Sequence, residues 1–104
     1  MSEFENVTVQ IESNVYFDGN VTSRNVTFPD GSVKTLGIML PGEYEFGTEQ
    51  KEVMDISSGE LDVLLPDHSE WIKIKSGMSF DVPANRKFKL QVNKITNYCC
   101  SYLD

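Results

Sequence analysis

The chain has 104 residues, which is enough for one domain but too few for a core plus a separate catalytic domain. Its 16 acidic and 9 basic side chains give a formal net charge of −7, which disfavours binding to nucleic-acid backbones and anionic membranes. No apolar run approaches the roughly 20 residues of a membrane helix, and the N-terminal segment is acidic. We therefore expect a cytoplasmic protein that binds neither nucleic acid nor membranes.

The two cysteines, Cys99 and Cys100, are adjacent in the chain. Neighbouring residues of a strand point to opposite faces, and a disulfide between them closes a strained ring. We expect two reduced thiols, which are typical of the cytoplasm.

Short alternating segments separated by turn signals begin near the N-terminus. Apolar and polar residues alternate over 7–11 and predict a short strand. We assign residues 1–13 to an N-terminal extension that adds this strand to a sheet edge. Asp18-Gly19 then marks a hairpin-type turn, and Gly37, inside the next apolar run, marks a bulge or a close backbone approach.

The stretch from Pro41 to Pro66 has two alternating runs hinged on the segment 57–60, SSGE. A Pro-Gly corner precedes it and a Pro-Asp turn follows it, so it predicts two wall strands joined by a tight corner.

Four more short strands follow, each bounded by turn residues. They are predicted around 71–75, 80–83, 88–92 and 98–103. No segment keeps a 3.6-residue period over ten residues, so the class is all-β. A small closed barrel is the expected architecture, because many short strands otherwise leave unprotected edges.

Two spacings match the motifs of a known barrel family. Six residues separate Glu52 from Gly59, and five separate Gly77 from Pro83. In this order the pairs resemble the two cupin motifs, which implies a single cupin-type β-barrel or jelly roll over residues 14–104.

The histidines that bind metal in many cupins are missing. They would fall around Thr48–Gln50, and the chain's one histidine, His68, lies in a polar loop. A redox-metal cupin site needs two or three imidazoles with a carboxylate, so a metal-dependent oxygenase or isomerase is disfavoured and we expect no metal. A hard cation on Glu52 and Asp55 stays open, although residues three apart on a strand face opposite sides.

Longer segments carry a more specific resemblance. They are 14–19 (NVYFDG), 37–46 (GIMLPGEYEF), 58–61 (SGEL), 80–85 (FDVPAN) and 98–103 (YCCSYL). Over residues 14–103 the chain resembles the pyrimidine/purine nucleoside phosphorylase family of small cupin proteins. The resemblance implies a pentosyltransferase that uses inorganic phosphate to split purine and pyrimidine ribonucleosides into free base and α-D-ribose 1-phosphate. It also implies a homodimer that needs no cofactor.

That reaction makes three chemical demands: negative charge near an oxocarbenium-like sugar, a surface for the base, and a phosphate below C1′. Alternation over 52–56 places Glu52, Met54 and Ile56 on one face, which we interpret as the lumen. We predict Glu52 as the catalytic carboxylate; a solvated carboxylate at a strand edge is the alternative.

Aromatic, methionine and amide side chains are the candidates for binding the nucleoside. We predict that it contacts Tyr44, Phe46, Met54, Phe80, Asn85, Phe88 and Tyr98, with core packing as the alternative for the aromatic rings. For phosphate, the bidentate geometry of a guanidinium favours Arg86, and Ser101 is a neutral donor.

A different function also fits these residues. A metal-free cupin that binds a sugar or nucleoside without catalysis needs the same pocket but no bound phosphate. Release of free base distinguishes the two functions.

Overall fold

The computed structural model describes residues 3–103, and these form an all-β fold. Residues 1 and 2 of the predicted extension (1–13) and residue 104 of the predicted barrel domain (14–104) lie outside the described residues. The strands are β1 Thr8–Val9, β2 Asn14–Tyr16, β3 Val21–Thr27, β4 Val33–Met39, β5 Gly42–Gly47, β6 Lys51–Ser58, β7 Glu60–Leu64, β8 Ile72–Lys75, β9 Ser79–Val82, β10 Lys87–Val92 and β11 Thr96–Leu103. One short 3-10 turn, Phe17–Gly19, joins β2 to β3.

The strands form two antiparallel sheets. The larger sheet has seven strands in the order β1-β3-β4-β11-β6-β9, with β2 also paired to β3, and the smaller has the order β5-β10-β7-β8. They enclose a single core as a jelly roll, so the expected fold class is confirmed. The expectation of a closed barrel is wrong, because the described strands form two separate sheets and not one continuous hydrogen-bonded barrel.

The predicted corners explain this division into two sheets. The Pro41-Gly42 corner takes the chain from β4 in the large sheet to β5 in the small one. Gly59, with φ of +108°, does the same between β6 and β7. Such a positive φ is open to glycine at little cost. The segment 41–66 therefore crosses between the sheets three times, since the chain also returns to the large sheet between β5 and β6.

Alternating side chains build the core between the sheets. In β10, Phe88, Leu90 and Val92 are buried while the residues between them are exposed. Leu61 and Val63 of β7 are fully buried against them. Each such side chain contributes about 1.5–3 kcal/mol by leaving water, so this layer fixes which face of each strand points inward.

The N-terminal strand is shorter than the predicted segment 7–11. Thr8 and Val9 pair opposite Thr27 and Val26 at the edge of the large sheet, Gln10 N–H still donates to the Asn25 carbonyl oxygen, and Ile11 is 94% exposed. Alternation predicted the strand but not its end, because Ile11 has no partner strand to cover it. None of the described residues belongs to a helix long and apolar enough to cross a membrane.

Candidate functional site

A pocket of about 210 Å³ lies between the inner face of the large sheet and strands β5 and β10 of the small one. Five predicted site residues line it: Phe46, Glu52, Met54, Phe88 and Tyr98. The rest of the lining is Tyr16, Ser23, Thr35, Met39, Gly47, Cys100 and Tyr102.

Strand register brings the polar part of the pocket together. On β11, alternate residues Tyr98, Cys100 and Tyr102 point inward. Tyr102 lies directly opposite Glu52 on β6, and on its other side β11 places Cys100 opposite Thr35 of β4. The central position of β11 therefore gathers side chains from three strands at one point.

Glu52 is the carboxylate of this pocket and is half-buried. The Cys100 thiol donates a hydrogen bond of 3.5 Å from Sγ to its Oε1. Burial raises the pKa of Glu52 above its ordinary value, because a charged carboxylate loses hydration, and the thiol hydrogen bond acts in the opposite direction. Glu52 thus differs from a solvated carboxylate at a strand edge.

The neighbouring phenols and thiol remain protonated. Thr35 Oγ1 and the Tyr102 hydroxyl are 3.1 Å apart, and the Tyr98 hydroxyl donates a 3.0 Å hydrogen bond to the Thr22 carbonyl oxygen. Burial raises the pKa of Tyr98 and of Tyr102, and it raises the pKa of Cys100 to about 12. These groups are therefore neutral hydrogen-bonding partners near neutral pH.

Aromatic rings form the opposite wall. The rings of Phe46 and Phe88 are stacked with centroids 5.8 Å apart and planes at 28°. Phe17 packs edge-on against Phe46 at 5.4 Å, and Met39 and Met54 complete the apolar lining. Flat apolar rings and thioethers suit a planar heterocycle without selecting its hydrogen-bonding edge.

Two of the predicted aromatics belong to the core. Tyr44 is buried, packs against Phe17 and donates a 2.6 Å hydrogen bond to the Leu40 carbonyl oxygen. Phe80 is buried and contacts Phe88 with ring centroids 6.2 Å apart. Both support the pocket wall from behind and do not line it.

The structure does not bring Asn85, Arg86 or Ser101 to this pocket. Asn85 is exposed in a turn with φ of +58°, and the Arg86 guanidinium lies 2.6 Å from the Asp67 carboxylate. Ser101 alternates with the inward residues of β11 and therefore faces the other side of the sheet.

Sequence reasoning missed several lining residues, among them Cys100 and Tyr102. The signal for these two was available, because once Tyr98 points inward, alternation along the last strand points both of them inward and Ser101 outward. Tyr16, Ser23 and Thr35 gave no comparable signal, since their places depend on which strands pair.

The charge of the pocket is simple. Among residues 3–103, Glu52 is the one formally charged residue in its lining. Asp55, the other carboxylate considered for a cation, is exposed and lies on the opposite face of β6. Across residues 3–103, no three His, Cys, Asp or Glu side chains come close enough together to hold a metal ion.

Comparisons with known proteins all point to one family. A family model described as pyrimidine/purine nucleoside phosphorylase matches residues 11–102. Two proteins bearing that name are similar to this chain: one from Sulfurovum is 65% identical over 103 residues, covering 99% of this chain and 100% of its own. The other, from Geotalea uraniireducens, is 61% identical over 104 residues and covers 100% of both chains.

Solved structures are similar over the same length. A protein of unknown function from Acinetobacter has a TM-score of 0.95 and 41% identity, covering 97% of this chain and 98% of its own. The cupin domain of Schizosaccharomyces pombe Cnp3 has a TM-score of 0.66 at 13% identity, covering 88% and 64%. At that identity the second likeness concerns the fold alone, and it agrees with a cupin-type jelly roll.

Proposed function

Because the chain belongs to the pyrimidine/purine nucleoside phosphorylase family, we propose that it is a nucleoside phosphorylase. The reaction is a pentosyl transfer from purine or pyrimidine ribonucleosides to inorganic phosphate, which yields free base and α-D-ribose 1-phosphate.

The observation that carries this proposal is the division of the pocket into two chemical halves. One wall presents the stacked rings of Phe46 and Phe88. The other presents Glu52 with the hydroxyl groups of Thr35 and Tyr102. A nucleoside has the same division, an aromatic base and a polyhydroxylated sugar, so the pocket's two halves fit its two parts.

The reaction assigns a role to each half. A phosphate oxygen forms a bond to C1′ while the bond from C1′ to the base nitrogen breaks, and the electron pair leaves with the base, which takes up a proton. Positive charge develops on the sugar ring in the transition state. The ionised carboxylate of Glu52 stabilises that charge, and it does so strongly because it is half-buried.

Base binding through ring stacking explains broad specificity. Phe46, Phe88 and Met54 offer apolar surface and no directional donors or acceptors. Stacking is tolerant because every base has a π face, so purines and pyrimidines are both substrates in this proposal. Tyr98 lines the same pocket from the large sheet and contacts the nucleoside in this proposal.

Arg86 does not line the pocket, but the next residue, Lys87, pairs with the lining residue Gly47, so Arg86 beside the pocket edge is the proposed phosphate ligand. Ser101 faces the other side of the sheet and Asn85 is exposed, so neither is assigned a ligand. A guanidinium favours phosphate through two parallel hydrogen bonds. Arg86 now forms an exposed ion pair with Asp67, and a phosphate dianion would replace that carboxylate. No metal or organic cofactor takes part in the proposed reaction.

Location and assembly are part of the same proposal. Both cysteines are free thiols, which fits the reducing cytoplasm.

A homodimer is supported by the outer face of the large sheet, where Leu36 and Ile38 are 39% and 37% exposed. Light scattering coupled to size-exclusion chromatography measures the mass, and a monomer at micromolar concentration would contradict the dimer.

One observation favours a second candidate function. Within the part of the chain that the structure describes, the pocket lining contains a carboxylate but no lysine, arginine or histidine to hold phosphate beside the sugar. A cupin that binds a nucleoside or sugar without cleaving it has no need of such a cation.

The deciding experiment incubates the purified protein with adenosine or uridine and separates the products by chromatography. We expect free base to appear only when phosphate is present, together with one equivalent of ribose 1-phosphate. Nucleoside binding by calorimetry with no base release across a nucleoside panel would support the binding function. Full activity after exhaustive chelation is expected if no metal participates.

A further inference from the structure

A row of hydrogen-bonding side chains crosses the inner face of the large sheet. Thr35 Oγ1 and the Tyr102 hydroxyl are 3.1 Å apart, and Tyr102 and Cys100, two residues apart on β11, both line the pocket. Cys100 Sγ then donates to Glu52 Oε1 at 3.5 Å. The row joins β4, β11 and β6 and ends at the carboxylate to which we assign catalysis.

We propose that Cys100 is a positioning residue for Glu52. Its thiol holds Oε1 so that the ionised carboxylate faces the sugar, and the hydrogen-bonded side chains of Thr35 and Tyr102 line the pocket beside it. The inference rests on the proposed function, in which Glu52 stabilises charge on the sugar.

Burial makes the weak thiol donor effective. Cys100 is 3% exposed, so packing restricts its side chain and keeps Sγ beside the carboxylate. A thiol donates weakly, but a hydrogen bond to a charged group is stronger where water is partly excluded. Half-buried Glu52 has less water to compete with this contact than a surface carboxylate has.

Among residues 3–103, Glu52 is the one carboxylate in the pocket lining, and burial raises its pKa. From β2 and β11 it is faced by Tyr16, Tyr98, Cys100 and Tyr102, and β3, β4, β5 and β10 contribute uncharged side chains. β9 places Val82 opposite Glu52, and its Asp81 pairs with Lys51 at 3.9 Å. Burial raises the pKa of Tyr98, Cys100 and Tyr102, so these three stay protonated while Glu52 ionises.

The direction of the effect follows from the contact. The thiol hydrogen bond favours the ionised carboxylate, against the burial that raises its pKa. Without the donor, the pKa of Glu52 rises further. Activity that needs ionised Glu52 then declines at a higher pH, and the carboxylate loses its orientation.

The test compares variants of the two adjacent cysteines. We expect Cys100→Ala to lower kcat about tenfold at neutral pH, the size of one hydrogen bond to a charged group, and to move the acidic limb of the kcat/KM profile to higher pH. Cys100→Ser, which keeps a donor, should restore most of both. Cys99→Ala is the matched control: it removes a thiol from the outer face of the same strand and should change neither.

Two results would overturn the proposal: an acidic limb in Cys100→Ala that coincides with the wild-type limb, or an equal shift in Cys99→Ala. Cys100→Val fills the site without a donor and should behave as the alanine variant does. If the Cys100→Ala protein fails to fold, Cys100→Val takes its place in both measurements.

A second readout separates this inference from the proposed function. Carbon-13 NMR of glutamate-labelled protein follows the Glu52 carboxyl signal, assigned by its loss in Glu52→Gln. A higher Glu52 pKa in Cys100→Ala than in wild type supports the thiol contact even if no nucleoside is cleaved, and an equal pKa overturns it. Absence of phosphorolysis in the wild type rejects the proposed function alone.

Discussion

Tyr98 lies directly opposite Gly37 in the pairing of β11 with β4, and its hydroxyl reaches past that strand to the Thr22 carbonyl oxygen at 3.0 Å. A Cβ added at Gly37 would overlap the Thr22 carbonyl oxygen and lie 2.9 Å from the Tyr98 hydroxyl. The glycine therefore leaves the space in which a pocket residue on β11 is tied to β3.

We predict that Gly37→Ala lowers the free energy of unfolding by about 2–3 kcal/mol, as expected for overpacking against backbone that cannot move freely. Urea denaturation followed by circular dichroism measures it. Gly47→Ala is the matched control, because a Cβ there has its nearest neighbour at 3.9 Å, and we expect a change within about 0.5 kcal/mol. Equal stability of the two variants would contradict the close approach at Gly37.

Much of the fold was predictable because faces and turns are local properties. The alternation over 88–92 predicted the buried and exposed sides of β10 correctly, and Gly37 is the close backbone approach that its position in a strand indicated. The division into two sheets was not predictable in this way. β11 pairs with β4 and β6, strands far from it in the sequence, and periodicity does not encode such partners.

The same limit applies to the site. Glu52 and Met54 line the pocket, as predicted from their shared strand face. Tyr44 and Phe46 share a strand face in the same way, but only Phe46 lines the pocket, since cross-sheet packing decides which ring is covered. The guanidinium of Arg86 has the chemistry to bind phosphate, but no periodic pattern in the sequence indicates where that side chain lies.

Phe46 provides a test of base stacking. We predict that Phe46→Ala raises KM for nucleosides about tenfold, because stacking of a base on an aromatic ring contributes about 1–3 kcal/mol, with a smaller change in kcat. Steady-state kinetics with adenosine and uridine measure both. Trp71→Ala removes a ring that is 44% exposed and does not line this pocket, so it should leave KM unchanged.

An unchanged nucleoside KM in correctly folded Phe46→Ala would show that the base binds elsewhere. Circular dichroism checks the fold, since Phe46 also packs against Phe17 and Phe88.

The exposed ion pair of Arg86 and Asp67 allows a two-sided test of phosphate binding. We predict that Arg86→Ala raises KM for phosphate about tenfold, the size of a charge-assisted hydrogen bond. Asp67→Asn should lower it, because the guanidinium no longer pairs at 2.6 Å with a carboxylate. Stability should change by less than about 1 kcal/mol in either variant, as for surface ion pairs in general.

Kinetics at varied phosphate and saturating nucleoside measure this effect. If both variants keep the wild-type KM for phosphate, Arg86 is not its ligand. Arg24→Ala, which changes an exposed arginine on β3, controls for loss of positive charge.

The pH dependence of stability should reflect burial of Glu52. Its pKa is raised above the ordinary value of 4.5, so the folded state binds more protons than the unfolded state just above that pH. Stability from this group therefore falls as pH rises from about 4.5 through the raised folded-state pKa. We predict that the free energy of unfolding of Glu52→Gln, relative to that of wild type, is higher at pH 7 than at pH 4. Urea unfolding of both proteins at both pH values measures this difference. An identical difference at both values would contradict the raised pKa.

Glu52→Gln should also separate catalysis from folding. The amide has nearly the same shape but no negative charge, so we predict a fall in kcat of about a hundredfold, within the range for losing one electrostatic contact to a transition state. Asp55→Asn, on the exposed face of the same strand, controls for loss of a carboxylate and should keep wild-type turnover. Single-turnover base release measures the chemical step in both. Wild-type turnover in Glu52→Gln would show that another group stabilises the sugar cation, and the half-buried carboxylate would then serve only to bind the ribose.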